Sequence, residues 1–371
     1  FPASVFTALT ALAAGITKRR GLLEAARRGA YASFGVATLA VLALEYLLVT
    51  SDFSIEYVAS NTNLALPLFY KIVALWAGHN GSLLLWTWFV TIFIAIVAFQ
   101  NRHKNNDLMP YVIFVMAITM VFFATLSVFI SNPFDTLYNE VGRQLQEYAV
   151  PDGRGLNPLL QHPAMVIHPP VLFVGYVGAV VPFAFAIASL ITGSLGAGWI
   201  HTTRRWALTT WAFLGAGIVL GGKWAYVELG WGGYWAWDPV ENASLLPWLT
   251  ATAYLHSVMI QERKGMLKVW NMSLVISTYL LAVFGTFLTR SGIVSSVHAF
   301  SNSGLGPAFA IFLSLSTAFS FGLLLYRRKM LKPDEEMESL VSRESGFLFN
   351  NLLFLLATIA VLWGTLFPVI S

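Results

Sequence analysis

The chain has 371 residues, 57% of them hydrophobic and only 11% charged, with a mean hydropathy of +0.68. That balance excludes an ordinary soluble domain, and apolar runs that are continuous rather than alternating exclude a transmembrane barrel. The formal charge of +4 does not signal affinity for nucleic acid, because the basic residues sort to one side of a membrane. With no cysteine, the chain has no disulfide, thiolate metal site or thiol nucleophile, so any thiol chemistry must come from a partner.

In chain order, ten apolar spans are predicted: Pro2–Ile16, Ala30–Val49, Ser82–Phe99, Met109–Ile130, Val171–Thr192, Trp206–Lys223, Ala243–Ile260, Trp270–Thr289, Pro307–Tyr326 and Asn350–Ile370. The expected fold is an all-α polytopic transmembrane bundle forming one domain over residues 1–371. Phe1 opens inside an apolar run without a methionine, so the chain is expected to be incomplete at both ends, a piece from the N-terminal part of a longer protein. Of the 22 Lys and Arg, only Lys71, Arg143, Arg154, Lys223 and Arg290 lie outside the loops 17–29, 100–108, 193–205, 261–269 and 327–349. The positive-inside rule makes those basic loops cytoplasmic. The loops 50–81 and 131–170 then face outward, and neither is of low complexity. Both are expected to fold over the outer mouth.

The stretch Trp224–Trp248 faces the same way. It reads WAYVELGWGGYWAWDPVENASLLPW and packs five Trp and two Tyr around Gly230, Gly232 and Gly233. The glycines allow a tight turn, so that Trp231, Tyr234, Trp235 and Trp237 can present a continuous aromatic surface. An interfacial aromatic belt is the bland alternative, but belts are dispersed around a protein and this run is compact. A flat hydrophobic ligand with a polar edge explains the concentration better. Asp238-Pro239 starts the next helix, where Asp238 and Glu241 serve as caps more readily than as an acid–base pair.

Topology also sorts the seven histidines. His103 and His201 fall in basic loops and read as solvated polar residues. His79, His162, His168 and His298 lie on the outer side. His168 precedes Pro169-Pro170, which are expected to hold the backbone extended and then start the fifth span. His298 follows the eighth span. Each alone reads as an interfacial hydrogen-bonding residue. Together, beside the Trp-rich loop, they suit the two axial positions of a haem iron, one imidazole per face. His256 lies inside the seventh span, where it either hydrogen-bonds a neighbouring helix or ligates a second haem within the bilayer. Glu45 is the other intramembrane charge and has no assigned role. Arg290 and Lys223, at outer span ends, read either as snorkelling cations or as partners for haem propionates, with Arg290 preferred for its bidentate geometry.

WGGYWAWDPVENASLLPWL closely resembles the tryptophan-rich signature of the WWD-domain haem-handling superfamily. YVASNTNLALPLFYKIVALWAGHNGSLLLW, SNPFD, GLNPLLQHPAMVIHPPVLFVGYVG, GTFLTRSGIVSSVHAF and SRESGFLFNN follow in the family's order, and they narrow the resemblance to the CcmF-type haem lyase subunits of System I cytochrome c maturation. The resemblance covers nearly the whole chain. It implies a multi-pass protein of the bacterial inner membrane with its WWD site facing the periplasm. His168 and His298 resemble the axial pair that receives a transient haem over Trp231, Tyr234, Trp235, Trp237 and Asp238. His256 resembles one ligand of a stable transmembrane haem b that reduces the incoming iron. The implied partners are a haem chaperone subunit (CcmE-type), a thiol-handling subunit (CcmH/CcmI-type), an apocytochrome c presenting CxxCH thiols, and membrane lipid. The reaction is thioether formation. Two departures stand out. Tyr234 replaces the second Trp of the usual pair, and no histidine follows His298 to complete the ligation of the haem at His256. A haem transporter without covalent chemistry, and a quinol-oxidising redox subunit with a b-type haem, are the competing readings.

Overall fold

The computed structural model describes all residues except 142–143, 148–149, 297–303, 336–338 and 340. Thirteen α-helices run through the described residues. They are α1 (Pro2–Thr17), α2 (Arg20–Thr50), α3 (Glu56–Asn61), α4 (Leu68–Val73), α5 (His79–Gln100), α6 (Met109–Thr125), α7 (Ala164–Gly178), α8 (Val180–Thr192), α9 (Gly198–Glu228), α10 (Pro239–Lys264), α11 (Lys268–Ser291), α12 (Gly306–Arg327) and α13 (Arg343–Ile370). One antiparallel hairpin, β1 (Tyr138–Val141) with β2 (Gln144–Glu147), interrupts an otherwise helical chain.

Each of the ten apolar segments lies in a long helix, with α7 and α8 sharing one of them. By length and composition, seven helical segments are apolar enough to cross a membrane, and α1 is apolar but shorter. The protein is therefore a multi-pass membrane protein. α9 and α10 are long enough to cross but are not among the seven. α9 carries Arg204, Arg205 and Lys223, and α10 carries Glu241, Glu262, Arg263 and Lys264; these same two helices frame the site described below. α7 and α8 form one continuous 29-residue stretch, Ala164–Thr192. Its helical assignment is interrupted at Ala179, because Pro182 has no N–H to bond the carbonyl four residues back.

The core lies where α5, α6, α8 and α11 meet. Trp86 stacks on Phe123 at 3.7 Å and Phe183 on Tyr279 at 4.0 Å. The Tyr279 hydroxyl pairs with Thr119 Oγ1 at 2.8 Å, which satisfies both groups where no water reaches. α2, α12 and α13 sit at the rim, and they show Leu39, Leu315 and Trp363 outward as lipid-facing apolar side chains. Close helix approach depends on small residues, as is usual within a bilayer. A Cβ at Gly217 of α9 would come within 2.8 Å of Leu172 on α7.

The two long loops, 50–81 and 131–170, fold on each other. Leu64 N donates to Asp152 Oδ1 at 2.8 Å, Arg154 N to Ala59 O at 2.7 Å, and Gly155 N to Thr62 O at 3.0 Å. Glu56 N and Leu137 N tie the same two segments together through Asp135 O and Ser54 O. Tyr57 donates to Ala74 O at 2.8 Å and accepts from Gly78 N at 3.0 Å, so α3 is pinned to the start of α5. Burial pushes the Tyr57 hydroxyl well above the usual phenol range, so it stays protonated and keeps donating.

Candidate haem site

His168 is not in an extended lead-in to its helix. α7 begins at Ala164, so Pro169 and Pro170 lie inside it, after the first turn. Proline is tolerated there at a specific cost: Pro169 cannot donate to Met165 O. That carbonyl is taken instead by the indole Nε1 of Trp76, at 2.8 Å. The outer loop thus repairs the helix at the point where the prolines break it, and His168 is fixed as part of that arrangement.

The imidazole then reaches α9, with Nδ1 2.8 Å from Gly217 O. A carbonyl only accepts, so Nδ1 carries the proton and Nε2 carries the lone pair. Gly221, one turn further on, makes room for the ring: a Cβ there would lie 2.6 Å from His168 Cε1. Trp224 follows one turn later and meets the imidazole edge-on at 5.8 Å. Gly217, Gly221 and Trp224 therefore form one face of α9 built around this histidine. Sequence reasoning assigned Trp224 only to the aromatic stretch. Its helical spacing from the two glycines was the available signal.

Three cavities converge on His168 and Trp224. One, of about 730 Å³ including space open to solvent, lies between α7, α9 and the start of α10, lined by Leu160, Leu172, Glu228, Trp235 and Glu241. A second, of about 1140 Å³, runs inward past Trp76, Trp86, Tyr176 and Arg290. The third, of about 730 Å³, opens beside His162, Ile167 and Lys223. Their lining is mostly apolar with a few polar groups, the usual character of a cofactor site. The buried indole nitrogens of Trp224 and Trp235 have no hydrogen-bond partner, and neither does that of Trp86. An apolar wall, unsatisfied donors and one imidazole with a directed lone pair fit a porphyrin with acceptor groups at its edge.

The aromatic stretch is sorted into parts. Tyr234 stacks on Tyr226 at 4.5 Å, and Trp235 meets Trp237 edge-on at 6.2 Å. Trp231 Nε1 donates to Gly233 O at 2.9 Å and closes the turn, in which Gly232 has a φ of +71°. Trp237 also adopts a left-handed φ of +59°, which is uncommon for a bulky residue. Asn242 holds it there by donating to Trp237 O and to Thr365 Oγ1, both at 3.0 Å. Of the four rings, Trp235 lines the first cavity, while Tyr234 and Trp237 are 60% and 64% exposed.

Asp238 is occupied as the α10 cap. Its Oδ2 accepts from Val240 N at 3.0 Å and Glu241 N at 3.4 Å, and Glu241 reaches back to Asp238 N in a full capping box. Ser296 Oγ also donates to Asp238 Oδ2 at 2.7 Å, so the chain after α11 is fastened to the aromatic turn. His298 lies outside the described residues. Arg290 is buried, 2% exposed, and its Nη2 donates to Ser82 Oγ at 2.8 Å, so it is not a snorkelling cation. Lys223 is the exposed cation beside His168.

His256 belongs to a separate place, the contact between α10 and α13. Its Nδ1 lies 2.6 Å from the side-chain amide of Asn350, with Phe354 at 5.7 Å and Phe347 at 6.4 Å. The atom of Asn350 that meets Nδ1 is its amide nitrogen, which donates there and leaves the proton of a neutral ring on Nε2; the same amide turned end for end would accept from Nδ1–H and make Nε2 the nitrogen that could ligate. His103 and His201 are exposed, and His201 Nδ1 is 3.6 Å from Glu262.

A family model described as cytochrome C assembly protein matches residues 76–294, which include α5 to α11 and the whole aromatic turn. Cytochrome c-type biogenesis protein CcmF of Haemophilus influenzae is 42% identical over 350 residues, which is 94% of this chain and 53% of that protein. The CcmF of Escherichia coli is also 42% identical, over 352 residues, 94% of this chain and 53% of its own length. Cytochrome c-type biogenesis protein NrfE of Haemophilus influenzae is 37% identical over 354 residues, 95% of this chain and 54% of that one. A solved structure titled cytochrome c heme lyase CcmF superposes with a TM-score of 0.82 at 33% identity, covering 99% of this chain and 54% of its own. The chain spans about half the length of the curated relatives it matches. It belongs to the cytochrome c assembly protein family and, within that family, to the CcmF type.

Proposed function

We propose that this chain is the haem-receiving part of a cytochrome c haem lyase in the bacterial inner membrane, working at its periplasmic face. The observation that carries the proposal is the imidazole of His168. Its tautomer is fixed by Gly217 O, and its lone-pair nitrogen belongs to a cavity walled by Trp224 and Trp235. Such a group takes one axial position of haem brought by a CcmE-type chaperone, and His298 takes the other. Trp235 supplies a wall of the pocket, and the indole N–H groups of Trp224 and Trp235 offer donors to acceptors at the macrocycle edge. Trp231, Tyr234 and Trp237 shape the turn that carries Trp235. Arg290 or Lys223 answers a propionate, according to which cavity the carboxylate enters. The basic loops argue for a cytoplasmic side opposite this site, and α1, α9 and α10 bring the spans to ten.

The chemistry is addition of a cysteine S–H across each haem vinyl, with sulfur bonding the inner vinyl carbon and hydrogen the outer one. No net redox change accompanies that addition. The chain's contribution is to hold the haem still while a CxxCH segment, delivered by a CcmH/CcmI-type subunit, is presented to its edge; this makes a bimolecular step local. His256, held by Asn350, would ligate a resident haem b. Such a haem supplies electrons that keep the incoming iron reduced.

Reconstitution with haem-loaded chaperone and a CxxCH acceptor tests the proposal. Haem that becomes covalently attached to the acceptor supports it. Haem retained without transfer would mark a transporter, and quinol-dependent haem reduction without attachment would mark a redox subunit.

A further inference from the structure

Far from the haem cavities, the turn between α1 and α2 and the loop between α5 and α6 enclose a cavity of about 940 Å³, including space open to solvent. Lys18, Arg19, Arg20, Arg27 and Arg102 line it, against two carboxylates, Glu24 and Asp107. Glu24 is already paired with Arg27. Among the described residues none of Lys18, Arg19, Arg20 and Arg102 is in an ion pair. At the turn between α10 and α11, by contrast, Lys264 bonds Glu344 at 2.9 Å and Lys268 bonds Asp334 at 2.7 Å. A solvated positive-inside loop accounts for exposed cations, but not for Arg27. That side chain is 4% exposed, donates from Nη2 to Asn101 O at 3.2 Å, and keeps a buried Nε–H with no partner.

Two further features point to an anion with a tail. α2 starts at Arg20 with no side-chain cap, and Arg19, Arg20 and Leu23 line the cavity, so the positive end of a 31-residue helix lies beside it. α2 is also long and apolar enough to span a membrane, which puts its end at a bilayer surface. On α1, Ile16 and Leu9 are 68% and 63% exposed, an apolar strip leading away from the cations. We propose that this cavity binds the phosphate headgroup of an anionic phospholipid, with an acyl chain lying along α1. Basic pockets between transmembrane helices take such headgroups, and each cation near the surface adds to the attraction.

The test uses delipidated protein in neutral detergent, titrated with phosphatidylglycerol, phosphatidylcholine or inorganic phosphate, and followed by native mass spectrometry and thermal unfolding. Phosphatidylglycerol is expected to bind and to raise the melting temperature, whereas phosphatidylcholine and inorganic phosphate do neither. Replacing two of the exposed side chains together, Arg20→Ala with Arg102→Ala, should weaken phosphatidylglycerol binding roughly 30-fold at low salt. Equal binding of the two lipids, or a double variant that binds like the parent, would overturn the proposal. Stabilisation by inorganic phosphate matching that by the lipid would also overturn it, in favour of a free-anion site.

Discussion

His168 and His256 are both held through Nδ1, but by different kinds of partner. His168 bonds a backbone carbonyl of α9, whose position is set by helix packing and whose chemistry permits one tautomer only. His256 bonds the side-chain amide of Asn350 on α13, which can offer either an oxygen or an N–H. The first arrangement suits a place where haem arrives and leaves, because the ligand must be ready each time without rearrangement. The second suits a resident group, whose electronics can be tuned by changing one side chain on a neighbouring helix.

The largest effect expected from breaking this comparison is at His168 itself. His168→Ala should cost the outer site more than about 100-fold in haem affinity while leaving the absorbance of haem at His256 intact, with imidazole added to the solution restoring the outer signal. Equal loss of both signals would mean that the bundle had misfolded. Gly221→Leu should come next. The new side chain starts 2.6 Å from the His168 ring, so it must push Nδ1 off Gly217 O, and affinity should fall roughly 10–100-fold. An unchanged outer site in this variant would show that the carbonyl bond has no part in ligation.

Changes at Asn350 sharpen the other half of the comparison. Asn350→Asp accepts more strongly from Nδ1–H, makes the imidazole a better donor and favours ferric iron, so the midpoint potential should fall with haem retained. Asn350→Leu removes the polar partner of Nδ1 altogether, so the potential should rise relative to Asn350→Asp and retention should drop about tenfold. A redox titration of both variants checks the sign, and potentials moving in the same direction would remove Asn350 as the tuning residue.

Much of this was legible in the sequence. Apolar length and basic loops located the helices, because bilayer thickness and charge cost act on composition directly. The start of α7 was misjudged for a physical reason: Pro169-Pro170 reads as a helix start, and only the distant Trp76 indole shows why the helix can include it. His256 and Asn350 are 94 residues apart, and no local pattern joins them. Arg290 looked interfacial from its place at a span end, yet it is buried and bonds Ser82 of α5, a contact across 208 residues of chain. Aromatic crowding marked the stretch but not how its rings are placed, because that depends on the φ of Gly232 and Trp237 and on which ring turns toward α7.

Asp238 is expected to give the smallest effect, and it separates structure from ligand contact. Its carboxylate caps α10 and holds Ser296, so Asp238→Ala should cost about 1 kcal/mol of stability, read as a lower melting temperature. Asn caps a helix about as well as Asp, so Asp238→Asn should leave both stability and haem affinity close to those of the parent. A negative charge needed beside the ligand would behave differently: Asp238→Asn would then melt normally and bind haem less well. The pair of variants therefore decides whether this residue of the aromatic turn acts on the macrocycle or only on the helix that carries the turn.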